Sequence, residues 1–124
     1  MKDLLLVGLG GLVGSISRYL ITLYSLKLTT SVFPFGTLTV NLAGSLLIGV
    51  LAGVMIKSTW SPYQLFLITG FCGGFTTFST FSLEGIKLIR AQLYYHYMLY
   101  AGISLFFGLL LCFVGFWIVQ KLSG

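Results

Sequence analysis

Long uncharged stretches alternate with short polar joints along the whole chain. Uncharged runs extend from Leu28 to Ile56, from Ser58 to Leu83 and from Ala91 to Gln120, and each exceeds the ~20 residues a helix needs to cross a hydrocarbon core. A fourth, Leu4 to Ser17, reaches that length only by taking in Arg18. Apolar residues run unbroken instead of alternating at every second position, which argues for helices and against the strands of a membrane barrel. The pattern predicts an all-α membrane protein with four spans, at about Leu4 to Tyr24, Phe35 to Ile56, Tyr63 to Lys87 and Tyr97 to Val119. Pro34 and Pro62 stand just ahead of the second and third, where a missing N–H costs no helical hydrogen bond.

Composition agrees with a membrane protein: 57% of the residues are hydrophobic and only 7% charged, too few polar side chains to coat a soluble globule. The opening MKDLLLVGLGGLVGS has the lysine-then-apolar order of a secretory leader, but further spans follow, so we read it as the first helix. Cys72 and Cys112 both fall inside spans and read as small buried residues.

Four spans return both termini to one side of the membrane. Lys2, Lys57 and Lys121 then lie on that side and Lys27, Lys87 and Arg90 on the other, with Arg18 inside the first span. Three against three removes the lysine and arginine bias that normally sets orientation. The balance predicts a dual-topology chain and hence an antiparallel homodimer with its two-fold axis in the membrane plane; a single topology under a weak bias is the plainer alternative. Asn41, Ser45, Gly49 and Gly53 share one helix face, as do Gly10 and Gly14. Small residues of this kind let helix backbones meet, either between two chains or within one.

The third span carries TGFCGGFTTFSTFSLE, Thr69 to Glu84, in which two glycines and a crowd of hydroxyls interrupt an apolar helix. A break in hydrocarbon is tolerated only where protein, water or an ion satisfies the freed backbone groups. We expect the break near Gly73 and Gly74, with carbonyls at Gly73 and Thr76 forming a hard oxygen cluster suited to Na⁺, shared between two chains that meet at their breaks. Close packing of an unbroken helix is the other use of the two glycines. Beyond them, Phe75, Phe78 and Phe81 are spaced by three, as are the pairs Thr77 and Thr80, and Ser79 and Ser82. Ring edges are electropositive and hydroxyls donate hydrogen bonds, as does the Asn41 amide, a combination suited to a small, strongly hydrogen-bonding anion. An aromatic stripe facing lipid has the same spacing. Arg18 has two roles open, attracting anions at a vestibule or snorkelling to the interface. Pairing with Lys87 is the ordinary role for Glu84, and His96, within YYHYMLY, belongs to an interfacial aromatic belt.

GFCGGFTTFSTFSLE resembles the signature of the Fluc (CrcB) family of fluoride channels, and GGLVGSISRYL in the first helix and PFGTLTVNLAGSLLIGVLAG in the second agree with it. The likeness extends over the whole chain in length and layout. It implies an antiparallel, dual-topology homodimer in the cytoplasmic membrane, with two fluoride pathways and a central Na⁺ that is structural and not transported. Carried onto this sequence, the Na⁺ carbonyls are those of Gly73 and Thr76 from both chains, the pathway phenylalanines are Phe78 and Phe81, and the pore amide is Asn41. Ser79, Thr80 and Ser82 fall where the family has pore-side hydroxyls, Arg18 where it has a vestibule arginine, and Glu84 at a recurring acidic position of unassigned role. Phe75 stands where the family often has a smaller aliphatic residue.

The implied activity is passive export of F⁻, the ion left behind when HF enters from acidic surroundings and ionises inside. No GxxxxGK[ST] loop and no carboxylate in the middle of a span suggests an energy source. Two alternatives come from other classes: a proton-coupled small multidrug-type transporter, for which Glu84 would have to exchange protons, and a non-conducting membrane subunit whose polar third helix serves packing alone.

Overall fold

The computed structural model describes residues 1–56 and 62–124; Lys57, one of the basic residues assigned to the side of the termini, lies outside them. Every regular element among the described residues is helical. Helix α1 is Lys2–Leu28 and α2 is Phe35–Met55. The third span, Pro62–Arg90, is in two pieces: α3, residues 62–75, and α4, Phe78–Arg90. Helix α5 is Tyr94–Leu122. Four of these spans are long and apolar enough to cross a bilayer, so the chain is a multi-pass membrane protein.

Helices α1 and α5 run past their expected ends at Tyr24 and Val119. Each carries a lysine in its last turn, Lys27 and Lys121, and a long aliphatic stem lets the helix continue while the ammonium reaches the interface. Lys121 does so over the ring of Trp117, 5.0 Å from its centroid. Within α3, Leu65–Cys72 is wound as a wide π turn, a form found mostly at functional sites.

Backbone contact at glycines holds the spans together. A Cβ on Gly10 would overlap the carbonyl oxygen of Phe66, and one on Gly14 that of Phe71, so α1 lies directly against α3. On α2, a Cβ on Gly49 would overlap the carbonyl oxygen of Cys112, and one on Gly53 would come within 2.9 Å of Val119 on α5. Lipid is as apolar as leucine, so close approach and dispersion do what the hydrophobic effect does in water. Of the two uses open to these small residues, packing between chains and packing within one, the structure shows the second.

Buried side chains are few, as expected of a bundle whose outer surface is solvated by lipid. Val40 and Tyr100 are completely enclosed and Cys72 nearly so. They stand on α2, α5 and α3 respectively.

Candidate functional site at the broken span

Gly73 is helical, with φ −62° and ψ −38°, and the chain leaves the helix only at Thr76 and Thr77, whose φ, ψ angles are −85°, 157° and −151°, 120°. The break therefore falls downstream of the expected Gly73 and Gly74. The reason lies in the threonines: glycine permits a departure from the helix without requiring one, whereas β-branched residues favour extended backbone. Thr77 also gains a role by being extended. Its Oγ1 accepts the Thr80 N–H at 3.2 Å and caps α4.

Asn41 on α2 closes the gap. Its Oδ1 accepts the Thr77 N–H at 2.8 Å and its Nδ2 donates to the Thr77 carbonyl at 3.1 Å. The amide thus pairs with one residue as a neighbouring strand would, satisfying both of its backbone groups. One Nδ2 hydrogen is left for another acceptor. In a continuous helix the Thr77 N–H would bind the Gly73 carbonyl and the Thr80 N–H the Thr76 carbonyl; here both donors go elsewhere. Gly73 itself faces outward, with open space where a side chain would stand. The next carbonyl, Gly74, accepts the Arg18 Nε–H at 3.1 Å. This bond pins α1 to the last turn of α3, a role distinct from attracting anions at a vestibule or snorkelling to the interface.

A cavity of about 280 Å³ opens beside the break, bordered by Asn41, Thr76, Thr77, Phe78, Phe81 and Ser104. The rings of Phe78 and Phe81 lie 5.6 Å apart at 34°, and Phe81 continues onto Tyr100 at 5.0 Å. Phe78 is 77% exposed and forms the outer wall. Ser104 of α5 is the only side chain among the described residues with a buried polar atom lacking a hydrogen-bond partner. A buried hydroxyl without a partner is costly and asks for an explanation; here it borders a cavity.

The hydroxyls expected on the pathway are arranged differently. Ser79, Thr80 and Ser82 do not border the cavity. Ser79 and Ser82 are exposed, and Ser82 Oγ donates to the Phe78 carbonyl at 3.0 Å; Thr80 Oγ1 accepts from Thr77 Oγ1 at 3.1 Å. These side chains finish the first turn of α4, because a helix start in an apolar medium must find local partners. The hydroxyl that borders the cavity comes instead from Ser104, with Thr76 and Thr77 at the break.

Glu84 makes no ion pair with Lys87. Its Oε1 accepts from Thr37 Oγ1 at 2.8 Å and its Oε2 from the Tyr100 hydroxyl at 2.7 Å. Thr37 and Tyr100 are both buried, so this three-residue network ties α2, α4 and α5 together inside the protein. Thr37 and Glu84 also border a second cavity, of about 260 Å³, toward the α1–α2 connection. Sequence reasoning gives Thr37, Tyr100 and Ser104 no role, although the chain carries a signal for them. Thr37 stands four residues before Asn41, and Tyr100 four before Ser104, spacings that put each pair on one face of its helix. His96 lies edge-on to Tyr95, 6.3 Å between centroids, in the exposed aromatic patch expected of an interfacial belt.

Comparison with known proteins places this arrangement. Residues 5–116 match the family model described as "CrcB-like protein, Camphor Resistance (CrcB)". The protein named "Fluoride-specific ion channel FluC" from Azobacteroides pseudotrichonymphae is 41% identical over 118 residues, covering 94% of each chain. Proteins of the same name from Flavobacterium psychrophilum, 44% identical over 98% of this chain and 100% of its own, and from Chlorobium chlorochromatii, 43% identical over 98% and 95%, are equally similar along their length. With the family model matched over nearly the whole sequence and relatives aligned from end to end, the chain belongs to the CrcB family.

Proposed function

We propose that this protein is a fluoride-selective channel that lets F⁻ leave the cell passively across the cytoplasmic membrane, working as an antiparallel homodimer around a structural Na⁺. The single observation that carries this reading is the Ser104 hydroxyl, buried without a partner at a cavity walled by Phe78 and Phe81. Fluoride is small, strongly hydrated and a strong hydrogen-bond acceptor. It gives up water only where donors replace it, and the spare hydrogens of Ser104 and Asn41 are donors, while ring edges add electropositive contact without offering a site to a cation. The names carried by the relatives point the same way. No chemical transformation is involved, so the protein is a channel and not an enzyme.

Three features support the dimer and its ion. Gly73 and Ser79 are exposed and Phe78 projects from the protomer. The helical donors to the Gly73 and Thr76 carbonyls are taken by Asn41 and Thr77, leaving oxygen atoms suited to a small hard cation if two breaks meet. The balanced basic residues favour insertion in both orientations.

Efflux from liposomes, followed with a fluoride electrode, tests the reading. F⁻ leaves rapidly and Cl⁻ does not, and Phe81→Ile slows F⁻ by at least about tenfold, a barrier increase of about 1.4 kcal/mol. Protein that is folded and dimeric but passes no F⁻ would instead be the non-conducting subunit. Drug-cation efflux abolished by Glu84→Gln would favour the proton-coupled transporter, against which stands the engagement of both Glu84 oxygens by hydroxyl donors.

A further inference from the structure

We propose that Gly44 of α2 is a positioning residue for the ion at the break: the absence of a side chain there fixes where the Thr76 carbonyl stands. This rests on the reading of Thr76 as a Na⁺ ligand. A Cβ on Gly44 would overlap the Thr76 Cγ2 methyl and lie 3.3 Å from Phe75 Cδ1. The Phe75 ring can yield by a few tenths of an ångström. The methyl cannot, and the reason is stereochemical.

Thr76 Oγ1 donates to the Cys72 carbonyl at 2.9 Å, in the same turn whose N–H bond to that carbonyl is 3.0 Å. Its methyl faces Gly44, and its Cβ hydrogen takes the third staggered position. Rotation by one step puts the hydroxyl oxygen where the methyl was, against the new Cβ. Rotation by the other step puts the hydrogen there, but it drives the methyl into the place of Oγ1. That place is 2.9 Å from a carbonyl oxygen, inside even the shortest weak C–H···O contacts. No rotamer of Thr76 therefore accommodates alanine at position 44, and α2 and the break have to move apart. The backbone of the break is tied to the same face of α2 by Asn41, one helical turn before Gly44, through its two bonds to Thr77. One short face of α2 thus both clamps the break and sets its depth.

The compensating change is specific. Thr76→Ser keeps the hydroxyl on Cys72 and removes the methyl, so it makes room for a Cβ at position 44 while leaving the carbonyl oxygen in place. The experiment compares wild type, Gly44→Ala, Thr76→Ser and the double variant, each extracted and reconstituted in N-methylglucamine buffer and titrated with Na⁺. F⁻ efflux is the first readout and thermal unfolding in detergent the second. Gly44→Ala is expected to raise the Na⁺ concentration for half-maximal efflux by roughly tenfold or more, with efflux recovering at high Na⁺; Thr76→Ser sets its own baseline, and adding Gly44→Ala to it is expected to shift that baseline far less than Gly44→Ala shifts wild type.

Wild-type efflux and stability indifferent to Na⁺ would overturn the Na⁺ reading and this inference with it. Wild type that depends on Na⁺ while Gly44→Ala shows the same dependence would overturn the inference alone. Efflux that stays low at every Na⁺ concentration, with no rescue by Thr76→Ser, would mean that the added methyl obstructs the cavity directly, and would also overturn it.

Discussion

Asn41 and Ser104 border the same cavity and have opposite relations to stability. Asn41 satisfies the N–H and carbonyl of Thr77, so Asn41→Leu orphans two backbone groups in an apolar setting at about 1–3 kcal/mol each. A marked fall in the melting temperature of the detergent-solubilised protein is the expected result. The Ser104 hydroxyl contributes nothing of the kind, having no partner. Ser104→Ala should leave melting unchanged or raise stability by up to about 1 kcal/mol, while F⁻ efflux falls, which separates a transport role from a structural one. At this scale the sequence was readable for type and not for partner. An amide on an apolar helix marks Asn41 as important, but nothing along the chain says that its oxygen and nitrogen both meet Thr77, 36 residues away. Glu84 is the clearest case: local spacing points to Lys87, and the actual donors, Thr37 and Tyr100, come from two other helices.

Among the elements, the number and order of helices follow directly from the runs of uncharged residues, since the bilayer leaves no other solution for the backbone. The break follows less directly. Gly73 and Gly74 drew attention to the right turn, but the extended residues are Thr76 and Thr77, because the site of departure is decided by which residue gains partners on leaving the helix. The same logic governs the α4–α5 turn. Gln92 has φ 60° there, its N–H bonding to the Ile89 carbonyl at 2.9 Å and that of Leu93 to the Leu88 carbonyl at 2.9 Å, a Schellman closure that glycine usually makes. Gln92→Gly is expected to stabilise the protein by about 1 kcal/mol through relief of the left-handed conformation, read as a higher melting temperature with unchanged efflux. The glycines of α1 and α2 were recognisable as contact positions, but whether their partners lie in the same chain depends on tertiary placement, which the spacing of small residues does not encode.

For the molecule as a whole, balanced basic residues make a prediction about orientation that can be shifted by charge alone. A reporter fused at Gly124 should appear on both sides of the membrane. Replacing Lys2 and Lys121 with glutamine leaves Lys57 against Lys27, Lys87 and Arg90, so the reporter should move to the outside only, and antiparallel dimers and F⁻ efflux should be lost together. The interrupted third span adds something that neither side chains nor cavities supply. Peptide dipoles add along a helix to about half a negative charge at its C-terminal end and half a positive charge at its N-terminal end. Between Phe75, where α3 ends, and Phe78, where α4 begins, lie only Thr76 and Thr77, so two poles of opposite sign face each other near the middle of the third span. One interruption therefore creates a place that favours a cation and, two residues on, a place that favours an anion. A chain with very few formal charges can in this way present a pole to each proposed ion largely from its backbone, with the part-buried Arg18 the charged side chain at the C-terminal pole.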